Sequence, residues 1–167
     1  MIILGIDPGY AITGYGIVEL KGNRIRPLVC GVLRTAAKTP FPERLLRISD
    51  GLTELISTYN PDCMAVEELF FARNTTTAIG TAQARGVAVL VGAKAGIPVF
   101  EYTPVQVKSA VVGYGKADKN QVQEMVKRLL NLAAVPKPDD AADALALAIC
   151  HAHTGNRANF LAVGGYQ

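Results

Sequence analysis

IILGIDPGYAITGYGIVELKGNRIRPLVCGVL, residues 2–33, is the stretch that decides the fold. Ile2 to Ile6 is a short apolar run closed by Asp7-Pro8-Gly9, which reads as a buried strand ending in a turn. Thr13 to Leu20 and Ile25 to Leu33 are β-rich, and Lys21-Gly22-Asn23 between them is a hairpin signal. The chain therefore opens with a three-stranded antiparallel meander.

Beyond this stretch the period changes. From Pro42 onward Leu45, Ile48, Leu52, Leu55 and Ile56 recur at three and four, an amphipathic helix that Asn60-Pro61 stops. Cys63 to Val66 is a short buried strand running into Glu67-Glu68. Asn74 or Thr75 can cap a long helix through about Lys94. Ile97 to Tyr102 is another strand, and Val105 to Val112 is a short helix before the break Gly113-Tyr114-Gly115. Val122 to Leu132 is helical, Pro136 and Pro138 end that region, and Asp139 starts a last helix through about His153. The order is βββαβαβα with a final helix. It predicts an α/β fold, a mixed five-stranded sheet of three antiparallel strands followed by parallel ones, with helices on its faces. Residues 1–154 read as one domain, and 155–167, with three glycines and little pattern, as a flexible tail.

Composition bounds the function. The 167 residues fit one domain; half are apolar and 19% charged, which excludes disorder. Cys30, Cys63 and Cys150 are odd in number and far apart. That excludes a disulfide framework or a CxxC zinc or redox site, and predicts free, buried thiols in a reducing cytosol. No run approaches the roughly 18 apolar residues of a membrane span. The N-terminus lacks a basic leader and meets Asp7 at once, unlike a signal peptide, so a cytoplasmic location is expected. The formal charge is +3, but between Leu69 and Lys137 nine Lys or Arg face three acids, a net +6 stretch. Such a stretch suits a polyanion such as nucleic acid.

The informative residues are acids placed where acids cost most. Asp7 follows one apolar strand and Glu67 another, with Glu68 a rival for its role. Asp140 and Asp143 share a face of the last helix at i and i+3, and everything after them is apolar. By spacing alone Asp139 with Asp143 is as good a pair, although Asp139, just after Pro138, reads first as an N-cap. A helix lined by Ala, Leu and Ile must pack close to the sheet. Unpaired buried carboxylates cost too much to persist, so these acids predict a metal or a base nearby. Strand ends and a helix N-terminus at one sheet edge let Asp7, Glu67 and the last helix converge. Carboxylates without a companion His or Cys favour hard ions, Mg²⁺ or Mn²⁺. Such clusters commonly hold two ions ~3.5–4 Å apart and hydrolyse phosphodiesters. His151 and His153 sit at a helix C-terminus, where imidazoles suit the dipole.

Four segments, GIDPGYAITGYGIV, AVEELFFARNTTTAIGTAQARGVAV, VFEYTPVQVKSAVVGYGKADKNQVQEMV and PDDAADALALAI, resemble the RuvC Holliday junction resolvases in order and spacing, over roughly residues 2 to 153. The resemblance implies an RNase H-like fold. It also implies Asp7, Glu67, Asp140 and Asp143 as metal ligands, thereby choosing Glu67 over Glu68 and Asp140 over Asp139. Lys108 and Lys119 would lie near the scissile phosphate, with Lys119 stabilising its charge, and Phe70 would stack on junction bases. Phe70, Arg73, Asn74, Lys108, Lys116 and Lys119 are the expected DNA-binding residues. Tyr10 departs from a position that is often small and polar in the family. The implied activity is a homodimeric endonuclease with two Mg²⁺ per subunit, Mn²⁺ substituting. It resolves four-way DNA junctions by paired symmetric nicks that leave 5′-phosphate and 3′-hydroxyl ends, and works with the RuvA–RuvB branch-migration motor. Gly80, Ala84, Ala88 and Gly92 form a small-residue stripe on the long helix, which permits close helix–helix approach and is the expected dimer interface. The alternative is packing on the chain's own sheet.

Three other readings compete. An actin-like ATPase or kinase needs two such lobes around a nucleotide, where 167 residues supply one. A non-catalytic junction-binding module has no need for four acids. A nuclease of the same fold acting on RNA or another substrate is open to the fold alone.

Overall fold

The computed structural model describes residues 1–69 and 75–155. The elements are β1 (Ile2–Asp7), β2 (Ile12–Lys21), β3 (Arg24–Arg34), α1 (Phe41–Tyr59), β4 (Cys63–Glu67), α2 (Thr75–Lys94), β5 (Val99–Tyr102), α3 (Pro104–Val112), α4 (Lys119–Leu129) and α5 (Asp139–Thr154). Three helices follow β5, as the expected segments Val105 to Val112, Val122 to Leu132 and Asp139 to about His153 require. The tail from 156 onward lies outside the described residues.

The five strands lie in the order β3-β2-β1-β4-β5. β1 and β3 each pair antiparallel with β2, while β4 pairs parallel with β1 and with β5. This is the mixed sheet expected from the meander and the crossovers, and it agrees with the RNase H-like fold that the resemblance implies.

Central position makes β1 apolar on both faces. Ile3 packs with Val18, Cys63, Ala65 and Tyr102 under α3, α4 and α5. Leu4 and Ile6 pack with Ile17, Met64 and Val66 under α1 and α2. Side chains alternate along a strand, so Asp7 continues the Ile3 face and Glu67 the Cys63–Ala65 face. Both acids therefore point to the α5 side.

Two glycines let α5 lie against the sheet. A Cβ on Gly5 would stand 2.0 Å from the Ala144 carbonyl oxygen, and one on Gly14 2.1 Å from that of Asp140. The Ala-rich helix and the glycine-bearing strands together bring backbone to backbone. α1 buries Arg44, Ile48, Leu52 and Ile56, one residue per turn, and Asn60 ends it in the left-handed region at φ 46°. Asn60 there donates its N–H to the Ile56 carbonyl, closing the helix.

α4 starts at Lys119, three residues before the expected Val122. Asp118 and Gln121 form a capping box, each side chain bonding the other's backbone N–H. Tyr10 serves the interior: its ring contacts Phe41, lies 4.7 Å from the Arg44 guanidinium and packs against Gly80 of α2. Cys63 and Cys150 are buried as expected, but Cys30, on edge strand β3, is exposed. Among the described residues no helix is long and apolar enough to cross a membrane.

Candidate functional site

Asp7 and Glu67 end neighbouring parallel strands, in register through Ile6 and Val66. Across the other edge of β1, Asp7 faces Gly14, and it is over Gly14 that the backbone of Asp140 lies. One turn further along α5 is Asp143. A pocket of about 260 Å³ opens here, lined by Asp7, Glu67, Asp143, Lys108 and Lys119, with Val107, Val122 and Leu147 as apolar wall. The elements α3, α4, α5, β1 and β4 thus each contribute a side chain to one concavity.

The charges are crowded. Burial, reinforced by Glu67, Asp143 and Asp140, pushes the Asp7 carboxyl up to about 7, with Lys119 pulling the other way. Burial and Asp143 raise Glu67. Burial also raises Asp143, against the bond and charge of Lys119. Lys119 Nζ stands 3.1 Å from Asp143 Oδ2 and 3.4 Å from Asp139 Oδ2. Burial acts to lower this ammonium, but its two aspartate partners outweigh that and hold it above the usual lysine value.

The structure separates the rival acids. Glu67 lines the pocket and Glu68 does not; the Glu68 N–H bonds the Tyr102 carbonyl at 2.9 Å. Asp140 is outside the pocket lining but near enough to raise Asp7. Asp139 is not the N-cap: Pro138 holds that position, and Asp139 makes no side-chain cap bond. Its carboxylate is taken by Lys137 Nζ at 2.8 Å, and the pair holds it below the usual carboxylate range. A proline one place earlier shifts the helix start, so Asp139 becomes the first helical residue, its carboxylate shared by Lys137 and the pocket residue Lys119.

Lys108 and Lys119 reach the pocket; Lys116 is exposed on the turn between α3 and α4. Phe70, Arg73 and Asn74 lie outside the described residues. The Gly80, Ala84, Ala88, Gly92 stripe does not face outward. Ala84 and Ala88 are 1% and 0% exposed, packed with Leu4, Ile6 and Met64, and Gly92 abuts Val99 and Met64. Small residues are needed because α2 lies close on its own sheet. The outer face of α2 instead carries Ile79, Gly86 and Leu90. His151 is no dipole-bound imidazolium: it is buried, its Nδ1 is 2.7 Å from Tyr102 Oη, and burial lowers its pKa.

Arg85 went unassigned in the sequence. It is half-buried in α2, and its Nε donates to the Glu67 carbonyl at 3.1 Å. The signal was present: a single charge inside a helix otherwise uncharged until Lys94.

The donor set fits a hard divalent cation in kind. All the acids around the pocket offer oxygen, and burial with mutual repulsion favours any added positive charge. Among the described residues no three His, Cys, Asp or Glu side chains are arranged to hold an ion as they stand. Lys119 already occupies Asp143.

The family model described as "Crossover junction endodeoxyribonuclease RuvC" matches residues 3–151. A crossover junction endodeoxyribonuclease RuvC of Desulfitobacterium hafniense is 60% identical over 159 residues, 95% of this chain and 96% of the relative. That of Desulforamulus reducens is 60% identical over 152 residues, 91% and 93% of the two chains. A solved RuvC from Thermus thermophilus superposes with a TM-score of 0.88 at 37% identity, covering 97% of this chain and 99% of that one. A T. thermophilus RuvC in complex with a Holliday junction substrate gives 0.87 at 40% identity, with 92% and 93% covered. With the family model matched over residues 3–151, relatives 60% identical over nearly its whole length and the same fold as the solved Thermus proteins, the chain belongs to the RuvC family of crossover junction endodeoxyribonucleases.

Proposed function

We propose that this chain resolves four-way DNA junctions in recombination and repair, by metal-dependent phosphodiester hydrolysis in the pocket around Asp7. The observation that carries the reading is the convergence of Asp7, Glu67 and Asp143 with Lys108 and Lys119 on one concavity. Acids alone would repel DNA; two lysines among them supply the attraction.

Asp7, Glu67, Asp140 and Asp143 are the residues that would hold Mg²⁺, two ions per subunit, with Mn²⁺ able to substitute. When bound, the ions supply Lewis acidity to the phosphate and lower the pKa of water. The remaining work falls to the chain. Asp143 releases Lys119, whose ammonium becomes free for the phosphate, where it stabilises developing charge. Lys108 orients the same group, and Val107 and Val122 keep one wall of the pocket dry. Phe70, Arg73, Asn74 and Lys116 extend the DNA contact, Phe70 by stacking on an unpaired base. The products carry 5′-phosphate and 3′-hydroxyl ends.

Resolution takes two cuts on strands of like polarity, placed symmetrically. A two-fold homodimer supplies two matching sites. The proposal therefore includes a homodimer, acting in the cytoplasm with the RuvA–RuvB motor.

The test is to incubate the protein and Mg²⁺ with a synthetic four-way junction, a linear duplex and an RNA–DNA hybrid. Paired nicks confined to the junction are expected. Cleavage of the hybrid alone would move the substrate to RNA, and binding without nicks would leave a junction-binding module.

A further inference from the structure

The Glu67 carbonyl lies at the very end of β4, where the ladder stops. It accepts from Arg85 Nε at 3.1 Å, and Arg85 Nη2 pairs with Glu101 Oε1. Glu101 is on β5, in register with Val66 beside Glu67, and Val66 faces the α1–α2 side. The guanidinium thus reaches the site from beneath the sheet, while the Glu67 carboxylate projects above it into the pocket. Both charged side chains are largely withdrawn from water, at 18% and 16% exposure.

Burying an ion pair is a poor route to stability, since desolvation cancels much of the attraction. What this pair does supply is geometry. A planar fork fixed at one side by Glu101 has one orientation left for its Nε–H, and that bond ends on the backbone of Glu67. Loss of the fork would leave the last residue of a strand with a free carbonyl and a softer Cα position.

We propose that Arg85, held by Glu101, is a positioning residue for Glu67. It sets the height and direction from which that carboxylate enters the pocket. The proposal rests on the reading of Glu67 as a metal ligand. Partners that orient a ligand without touching the ion typically matter 10- to 100-fold in metal affinity or activity.

The experiment uses Arg85→Lys and Glu101→Gln, with Glu67→Gln as reference. Mn²⁺ binding to the protein without DNA is measured by calorimetry. Mg²⁺ is titrated in a junction-nicking assay, junction binding is measured without divalent ions, and circular dichroism at the assay temperature checks folding. Both variants should stay folded and bind the junction normally. Their Mn²⁺ affinity should fall about 10- to 100-fold, half-saturating Mg²⁺ should rise in step, and high Mg²⁺ should restore much of the nicking. Unchanged Mn²⁺ affinity and Mg²⁺ midpoint in Glu101→Gln would overturn the proposal, as would losses that only track unfolding. If Glu67→Gln itself leaves Mn²⁺ affinity unchanged, the ligand assignment of Glu67 fails and the proposal falls with it. If Glu67→Gln abolishes binding while the other two variants are normal, the positioning role alone is refuted.

Discussion

Lys119 Nζ lies 3.1 Å from Asp143 Oδ2, so an ammonium stands among the acids where a divalent ion is expected to compete for them. The bond joins the first residue of α4 to the first turns of α5, and Lys119 remains 55% exposed. It is therefore weakly held and can change partner.

Lys119→Met should separate two roles. Without its cation, Asp143 loses the interaction that opposes burial, and the cluster should take up protons more readily. Nicking should fall at least about tenfold even at saturating Mg²⁺, because a donor aimed at transition-state charge is worth about 10²–10³ in rate at its best. Single-turnover rates at rising Mg²⁺ decide this. Full recovery at high Mg²⁺ would make Lys119 a mere place-holder for the ion.

The paired glutamates offer a direct contrast. Glu67→Gln keeps size and removes a charge from the pocket, so cleavage should drop by orders of magnitude while junction binding persists or tightens. Glu68→Gln, outside the pocket lining, should stay within about threefold of the parent, an effect below 1 kcal/mol in the barrier. Gel-shift and nicking assays run in parallel report both. The opposite ranking would remove Glu67 from the site.

The raised Asp7 makes stability depend on pH and metal together. Its carboxyl titrates near 3.8 when unperturbed and at about 7 in the fold. A raised acid contributes its stability below the unfolded value and loses it as pH rises through the folded one. Metal-free protein should therefore melt lower at about pH 8 than at about pH 5. Asp7→Asn should recover the loss at the higher pH, by at most about 4 kcal/mol. Mg²⁺ should raise Tm more at the higher pH, since it replaces a proton that is already leaving. Calorimetric melts with EDTA or Mg²⁺ at both pH values check it; an equal Mg²⁺ gain at the two would exclude Asp7 as a ligand.

Much of the site was legible because a carboxylate that directly follows a short apolar run stands at the end of a buried strand. Asp7 and Glu67 could be placed at strand ends from the apolar runs before them, and the Ala-rich helix had to lie close; the face they share follows only from the register of β1 with β4. Asp139 misled because a proline, not an aspartate, took the cap. The start of α4 was hidden in Asp118-x-x-Gln121, a local signal overlooked beside the apolar period from Val122. Arg85 stayed silent for another reason: its partners are 18 and 16 residues away, joined only when α2 folds back under β4 and β5. The small stripe of α2 was ambiguous in principle, since glycine and alanine serve any close contact, whether with a partner or with the chain's own sheet.

That ambiguity leads to the last prediction, which concerns the dimer. Ala88 is fully buried against Met64 and the β1 side chains, whereas Leu90, two residues on and across the helix, is 53% exposed, and Ile79 on the same outer face is 63% exposed. Ala88→Leu should overpack the core and cost ~1–3 kcal/mol, leaving the oligomeric state of the folded protein unchanged. Leu90→Glu should barely alter protomer stability, because an exposed side chain carries little packing. If α2 meets its two-fold mate through this outer face, Leu90→Glu places a charge beside its own symmetry copy and should drive the protein to monomers. The monomer should still nick a junction, but it should release singly nicked product before the second cut, whereas the dimer makes both in one encounter. Analytical ultracentrifugation and a plasmid-borne cruciform, which distinguishes nicked from linearised DNA, read the two effects separately. Dimers that survive Leu90→Glu, paired with Ile79→Glu, would move the interface off α2 altogether.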